Sequence, residues 1–348
     1  MKKVMLAALP LLAMTAGLSA CGGDEAAASR EQIKAVGSST VYPFAKAAAE
    51  EFARSYPQFQ SPIIESTGTG GGMKLFCAGI GVRHPDMVNA SRRMKASEYE
   101  TCKANGVTEI VELDVGMDGI AIASAADGIS IPLTQREFYM AIAAEPFGKP
   151  NTAKNWNDIN PAFPSDPILV YGPPSTSGTR DALAELIMTA GCKTDAGTAA
   201  LKETDEERFE SICTEVRSDG AYVEQGENDN LIVQKLGSNP RAVGVFGYSF
   251  LEENAESLHG QSIDGVEPTY DAIASNEYPG ARPLYVYVKK QHVGAVPGLP
   301  EYISTWTDNW GKGGLFTSKG MIASPDAVRE KNLAKARDLT VMDASELK

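Results

Sequence analysis

Ile168-Leu169-Val170-Tyr171-Gly172-Pro173-Pro174-Ser175-Thr176-Ser177-Gly178-Thr179-Arg180 changes character twice within thirteen positions. The first four residues form an apolar run of strand length, and the prolines with the Gly/Ser/Thr cluster then break it. Beyond the cluster, Ala182, Leu183, Leu186 and Ile187 fall on one side of a helix reaching about residue 190. Strand, hydroxyl-rich turn and helix make the repeating unit of an α/β fold with largely parallel sheets.

The unit recurs three times upstream. Residues 33–36 pass through Gly37-Ser38-Ser39-Thr40 into a helix led by Tyr42-Pro43-Phe44, where Phe44, Ala48 and Phe52 share a face as far as about Tyr56. Ile63-Ile64 leads through Glu65-Ser66 to Thr67-Gly68-Thr69-Gly70-Gly71-Gly72, with a helix expected over residues 73–78. Met87-Val88 leads to Asn89-Ala90-Ser91-Arg92-Arg93, after which Ser97 and Glu100 read as the capping box of a helix closed by Gly106. Small hydroxyl residues at a helix start have a chemical use: free backbone N–H groups and the positive end of the helix dipole meet there, and hydroxyls add donors without bulk. One such turn is an ordinary N-cap; four of the same chemistry point to an anion site.

A chain of 348 residues suggests two domains, and 43% hydrophobic with 22% charged residues is ordinary for a globular protein. The 32 Lys and Arg against 45 Asp and Glu, a net charge of -13, argue against coating nucleic acid or docking on anionic lipid through a basic face. Residues 111–124 are apolar enough for a buried strand crossing between lobes, and residues 242–250 are a second candidate crossing. The expected division is 30–113 with 247–348 in the first lobe and 114–246 in the second. Thr134 with Glu137 caps a helix of the second lobe, and Trp156, Phe163 and several prolines mark an irregular segment. In residues 281–289, Leu284, Val286 and Val288 alternate with Tyr285 and Tyr287, returning a strand to the first lobe.

The N-terminus reads as an address. Lys2 and Lys3 precede an apolar run over residues 4–12, too short for a membrane span, and residues 1–20 form a secretory signal peptide. Leu18-Ser19-Ala20-Cys21 resembles a bacterial lipobox, whose cleavage leaves Cys21 as a lipidated first residue on a tether of residues 21–29. Without Cys21 four cysteines remain, an even set bound for an oxidising compartment, and neighbours in sequence suggest Cys77 with Cys102 and Cys192 with Cys213. Zinc ligation fits poorly, since the cysteines lack close spacing and His84, His259 and His292 are far apart.

In order along the chain, Val36-Gly37-Ser38-Ser39-Thr40-Val41, the glycine turn of residues 67–74, Asn89-Ala90-Ser91-Arg92, Leu133-Thr134 through Trp156-Asn157-Asp158-Ile159, Gly172 through Asp181, and Gly226-Glu227-Asn228-Asp229-Asn230 resemble the PstS-type phosphate-binding proteins of high-affinity phosphate ABC importers. The likeness spans nearly all of the mature chain. It implies a two-lobe periplasmic-binding-protein fold of type II, hinged on two crossing strands, with one phosphate in the cleft, no cofactor and no catalysis. Matching motifs imply phosphate held by Ser39, Thr40 and Val41, by Thr69 and Gly70, by Ser91, and by Ser177, Gly178 and Thr179. The third turn departs from the family pattern, carrying Arg92 where many members have an aspartate, and Pro173 and Pro174 stand where an arginine is often found. Arg92 and Arg180 are therefore expected to supply the cationic fork, and Asp118 to accept the phosphate proton.

The resemblance also implies partners and place: inorganic phosphate and the transmembrane subunits of an ABC permease, no nucleic acid, a monomer, and the periplasm of a Gram-negative bacterium with membrane contact only through a lipid on Cys21. Rival functions are a receptor for sulfate, molybdate or tungstate, and a secreted phosphatase. Against the phosphatase, the chain has neither a Gly-x-Ser-x-Gly elbow nor a Walker loop.

Overall fold

The computed structural model describes residues 31–226 and 229–347, so the expected leader, Cys21 with the whole tether of residues 21–29, and Glu227 and Asn228 of the last quoted motif lie outside the described residues. Its strands are β1 (Lys34–Gly37), β2 (Ile63–Ser66), β3 (Met87–Ala90), β4 (Ile110–Ala125), β5 (Val170–Gly172), β6 (Tyr222–Glu224), β7 (Val243–Gly247), β8 (Leu258–Gly260) and β9 (Ala281–Lys289). Among the described residues they pair in the order β2-β1-β3-β9-β4-β7-β5-β6, with β8 on the end of β4. β1 runs parallel to both β2 and β3, and β5 runs parallel to both β6 and β7. Each trio therefore has a central strand whose turn faces the turns of its neighbours, the place where open α/β sheets bind ligands.

β4 joins the trios. Its first half pairs with β9 from Ile110 to Gly119, and from Ile120 to Ala123 it pairs with β7. The packing changes along the same strand: Val111, Leu113 and Val115 belong to a core with Val286, Phe52 and Trp306, whereas Ile120 and Ile122 belong to another with Val170, Val245 and Phe138. The alternation expected at β9 sorts its side chains between two faces. Leu284, Val286 and Val288 enter the first of these cores, and Tyr287 joins Val36, Val88 and Phe76 in a third cluster on the other side of the sheet. The first half of the chain's sheet is thus covered on both faces, as a parallel sheet requires.

Three expectations need correcting. Residues 242–250 do not cross between lobes: after β7 the chain continues through helix Tyr248–Glu253, β8 and helix Tyr270–Ala274, and Tyr248, Leu251, Leu258 and Ile273 all pack in the second core. The strand that returns is β9, whose Ala281 lies in that core and whose Leu284 lies in the first. An interior strand and a crossing strand are both buried on two faces, so an apolar run does not tell them apart. The second glycine turn is no loop before a helix, because helix Gly68–Phe76 includes its glycines. A β-carbon at Gly72 would stand 2.6 Å from the Gly37 α-carbon, so this helix can lie against β1 only on glycine. The capping box expected from Ser97 and Glu100 does not form: helix Ala96–Ala104 begins one residue before Ser97, and Glu98 alone satisfies its start by accepting from the Lys95 amide at 2.9 Å, since a lysine side chain has no acceptor with which to complete a box.

The Thr134–Glu137 box forms as expected, and so do both disulfides, Cys77–Cys102 and Cys192–Cys213. They close spans of 25 and 21 residues, loops for which chain entropy gives roughly 3 kcal/mol each. Among the described residues no helix is long and apolar enough to cross a membrane, and no cluster of His, Cys, Asp and Glu could hold a metal ion.

Candidate functional site

The first turns follow from strand register. The Ser38 amide donates to Asn89 O at 2.9 Å and the Thr67 amide to Gly37 O at 2.8 Å, so the turns after β1, β2 and β3 stand in a row. Gly37 has φ 134°, and a β-carbon there would stand 2.1 Å from Asn89 O, which is why the strand ends in glycine. Across from this row, the turn after β5 approaches the turn after β1 so closely that a β-carbon on Gly178 would lie 3.3 Å from the Thr40 α-carbon. Ser39 Oγ donates to Asp181 Oδ2 at 2.5 Å, and Ser177 Oγ caps its helix by accepting from the Thr179 amide at 3.2 Å. Among the described residues no acceptor takes the amides of Ser39 and Thr40.

Between the two turns lies a cleft of about 580 Å³ whose wall includes Ser39, Thr40, Asp118, Ser177, Gly178 and Thr179. Asp229 and Lys319 also line it. Asp229 is buried and accepts from the Gly247 amide at 3.0 Å; burial raises its pKa, so its carboxyl resists ionisation. Val41 is fully buried and supports the first turn from behind. Thr69 and Ser91 belong to the same row but stand outside this wall, tied together by the Ser91 amide donating to Thr69 Oγ1 at 3.1 Å. Gly70 is exposed at the start of its helix.

Neither expected arginine points its charge into the cleft. Arg92 makes a two-point pair with Glu98, 2.9 and 2.7 Å, and that carboxylate raises its pKa further. Arg180 lies over the Tyr222 ring at 4.9 Å and reaches Glu224 at 3.5 Å; burial pushes the Tyr222 phenol up to about 12. The cation at the seam is Arg282, near the start of β9. It is the direct cross-strand partner of Asp118 and donates from Nε to Asp118 Oδ2 at 3.0 Å, from Nη2 to Thr40 Oγ1 at 2.7 Å, and from Nη1 to Glu185. Asp118 therefore does face the cleft, as half of an ion pair.

Sequence reading passed over Arg282, Glu185 and Asp229. A signal existed for the first: a charged residue two positions into an apolar strand is costly to bury unless a carboxylate opposes it, and residues 111–124 offered Asp118. Glu185 had none, since an acidic residue on a helix is usually solvated. Asp229 sat in a quoted motif without a role.

Two lobes, two spanning strands and a donor-lined cleft between them define a binding protein rather than a single closed domain. The chain belongs to the PBP superfamily, as a PstS-type member: a family model described as a PBP superfamily domain matches residues 22–310. Protein SphX of Synechococcus elongatus is 30% identical, over 91% of this chain and 84% of its own. The phosphate-binding protein PstS of Staphylococcus saprophyticus is 27% identical, over 99% of this chain and 97% of its own. Among solved structures, a possible phosphate binding protein from Planctomyces limnophilus superposes with a TM-score of 0.72 at 29% identity, covering 89% of this chain and 99% of that one. An ABC-type phosphate transport receptor from Vibrio cholerae shares the fold at a TM-score of 0.57 and 20% identity, over 84% and 99% of the two chains.

Proposed function

We propose that this protein captures inorganic phosphate in the interlobe cleft and hands it to the transmembrane subunits of an ABC permease, without catalysis. The observation that carries the reading is the contact of two hydroxyl-and-amide turns, Ser39-Thr40 and Ser177-Gly178-Thr179, one from each lobe. The phosphate-binding protein PstS of Staphylococcus saprophyticus and the possible phosphate binding protein from Planctomyces limnophilus, as relatives, support the same ligand. The carboxylates of Asp118 and Asp181 at or beside the cleft favour a protonated oxyanion over a fully ionised one, since a carboxylate can accept the proton of hydrogen phosphate but only repels sulfate.

The second lobe in this reading runs from about the bulge between Asp114 and Gly116 to the start of β9, and the remainder forms the first lobe. The chain works as a monomer on the periplasmic side of a Gram-negative inner or outer membrane, held there by a lipid on Cys21 after removal of the signal peptide. Calorimetric titration of protein stripped of bound anion tests the ligand. One phosphate per chain at micromolar affinity or better, about 8 kcal/mol or more, is expected, with sulfate far weaker. Absence of heat with phosphate, or equal binding of sulfate, would overturn the reading.

A further inference from the structure

Arg282 is enclosed by groups that, on the phosphate reading above, bear on how the anion is held. Its side chain is 5% exposed, and its donors are divided among three parts of the chain. Asp118 comes from β4, where the β4–β9 register places it directly opposite Arg282. Thr40 comes from the first turn, in the cleft wall. Glu185 comes from the second lobe, on the π-helical stretch Leu183–Met188, a local widening of the kind common at functional sites.

These partners are not held alike. Asp118 is 20% exposed and fixed by backbone pairing, whereas the Glu185 side chain is 59% exposed and reaches Arg282 from solvent. Two carboxylates on one guanidinium leave the cluster with excess negative charge, and the exposed one loses least by leaving, because water solvates it at once. A phosphate oxygen presents to Nη1 the same charge and geometry as the Glu185 carboxylate. An anion in that place would also lie beside Thr40, whose hydroxyl already touches Nη2, and so beside the free amides of the first turn.

We propose that Arg282 is the cation that grips the anion and that Glu185 is a resident counter-ion which the anion displaces. Glu185 then sets affinity by competition: it occupies Nη1 of the buried guanidinium while the cleft holds no anion and lowers the apparent affinity for any ligand too weak to evict it. Release of Glu185 also frees the second lobe from a charge contact with β9.

Phosphate titration of stripped wild type, Glu185→Gln, Arg282→Lys and Glu252→Gln, by calorimetry and stopped flow, tests this. Glu185→Gln is expected to bind roughly tenfold tighter with faster association, Arg282→Lys at least thirtyfold weaker, and Glu252→Gln, an exposed carboxylate of helix Tyr248–Glu253, like wild type. A damaged fold does not tighten binding, so Glu185→Gln decides even where Arg282→Lys fails to fold. Wild-type phosphate binding with equal or weaker binding by Glu185→Gln overturns displacement and leaves the phosphate reading standing. Equal tightening by Glu252→Gln shows a general charge effect and overturns it as well. Failure of the wild type to bind phosphate removes the phosphate reading and this inference together.

Discussion

Asp114 is a carboxyl that the sheet places where an ion is poorly hydrated. It follows Leu113 on β4 beside the bulge, accepts a hydrogen bond from Ser324 Oγ at 3.0 Å, and its own amide donates to Asn332 Oδ1 at 3.0 Å. Burial pushes its pKa up to about 6 despite the donors around it, with Glu112 adding repulsion. The folded state therefore binds this proton more tightly than the unfolded chain does. The resulting stability is full below the ordinary aspartate value near 4, and is lost as pH rises through about 6. Asp114→Asn keeps an acceptor for Ser324 and removes the charge, so it should stabilise the protein at about pH 7.5 by up to about 3 kcal/mol and change little at about pH 4. Urea unfolding of both proteins at the two pH values measures the difference; equal effects at both would show that the charge is not the cause. A second expectation concerns the arginines assigned from the resemblance. Arg92 and Arg180 are engaged with Glu98, Tyr222 and Glu224, so Arg92→Ala and Arg180→Ala should each weaken phosphate binding less than about threefold, as read by calorimetry. Residue types in a turn reveal what a site could hold, but not which carboxylate will claim an arginine first, because that partner is often distant in sequence. Arg282 and Glu185 are separated by 97 positions and meet only in the fold.

At the scale of the element, local chemistry was the legible part. The helix after Pro43, the Thr134 cap and the alternation of β9 depend on neighbours within a few residues, and each forms where the pattern placed it. What failed depends on packing at a distance. The run Gly70-Gly71-Gly72 reads as a loop by propensity, yet it is helical because Gly72 must pass over Gly37. Gly72→Ala improves helix propensity and should nevertheless destabilise by about 1–3 kcal/mol, since the new carbon meets backbone that cannot rotate away. It should also weaken phosphate binding, because the turn it displaces borders the first cleft turn. A stabilised Gly72→Ala in chemical unfolding would refute the packing argument. The disulfide Cys192–Cys213 joins the helix ending at Cys192 to helix Glu206–Thr214 within the second core, and neither cysteine lines the cleft. Replacing both cysteines by serine should cost roughly 3 kcal/mol and leave phosphate affinity within about twofold, a separation that unfolding and titration on one sample can show.

For the whole molecule, the pattern of strand-turn-helix units disclosed the α/β class, but the path between lobes was only half visible. β4 stood out because the apolar stretch of residues 111–124 is longer than one small sheet needs, and the strand proves to be sixteen residues long, whereas β9 is of ordinary length and its double membership is set by the strands beside it. The same global view governs how the ligand arrives. A chain with net charge -13 repels an anion at long range, so on the reading proposed above affinity comes from contacts made after water is excluded: amides of the first turn, hydroxyls of both turns and the guanidinium at the seam. Salt shortens the reach of the repulsion without weakening bonds inside a dry cleft. Raising NaCl from about 20 mM to about 500 mM should therefore change the phosphate dissociation constant by less than about threefold and should speed association, since screening removes a barrier instead of a steering force. Stopped-flow binding across that range gives the test. A rate that falls steeply with salt would mean that a positive local field guides phosphate to the cleft, and Lys319 at its rim would then be the first residue to neutralise.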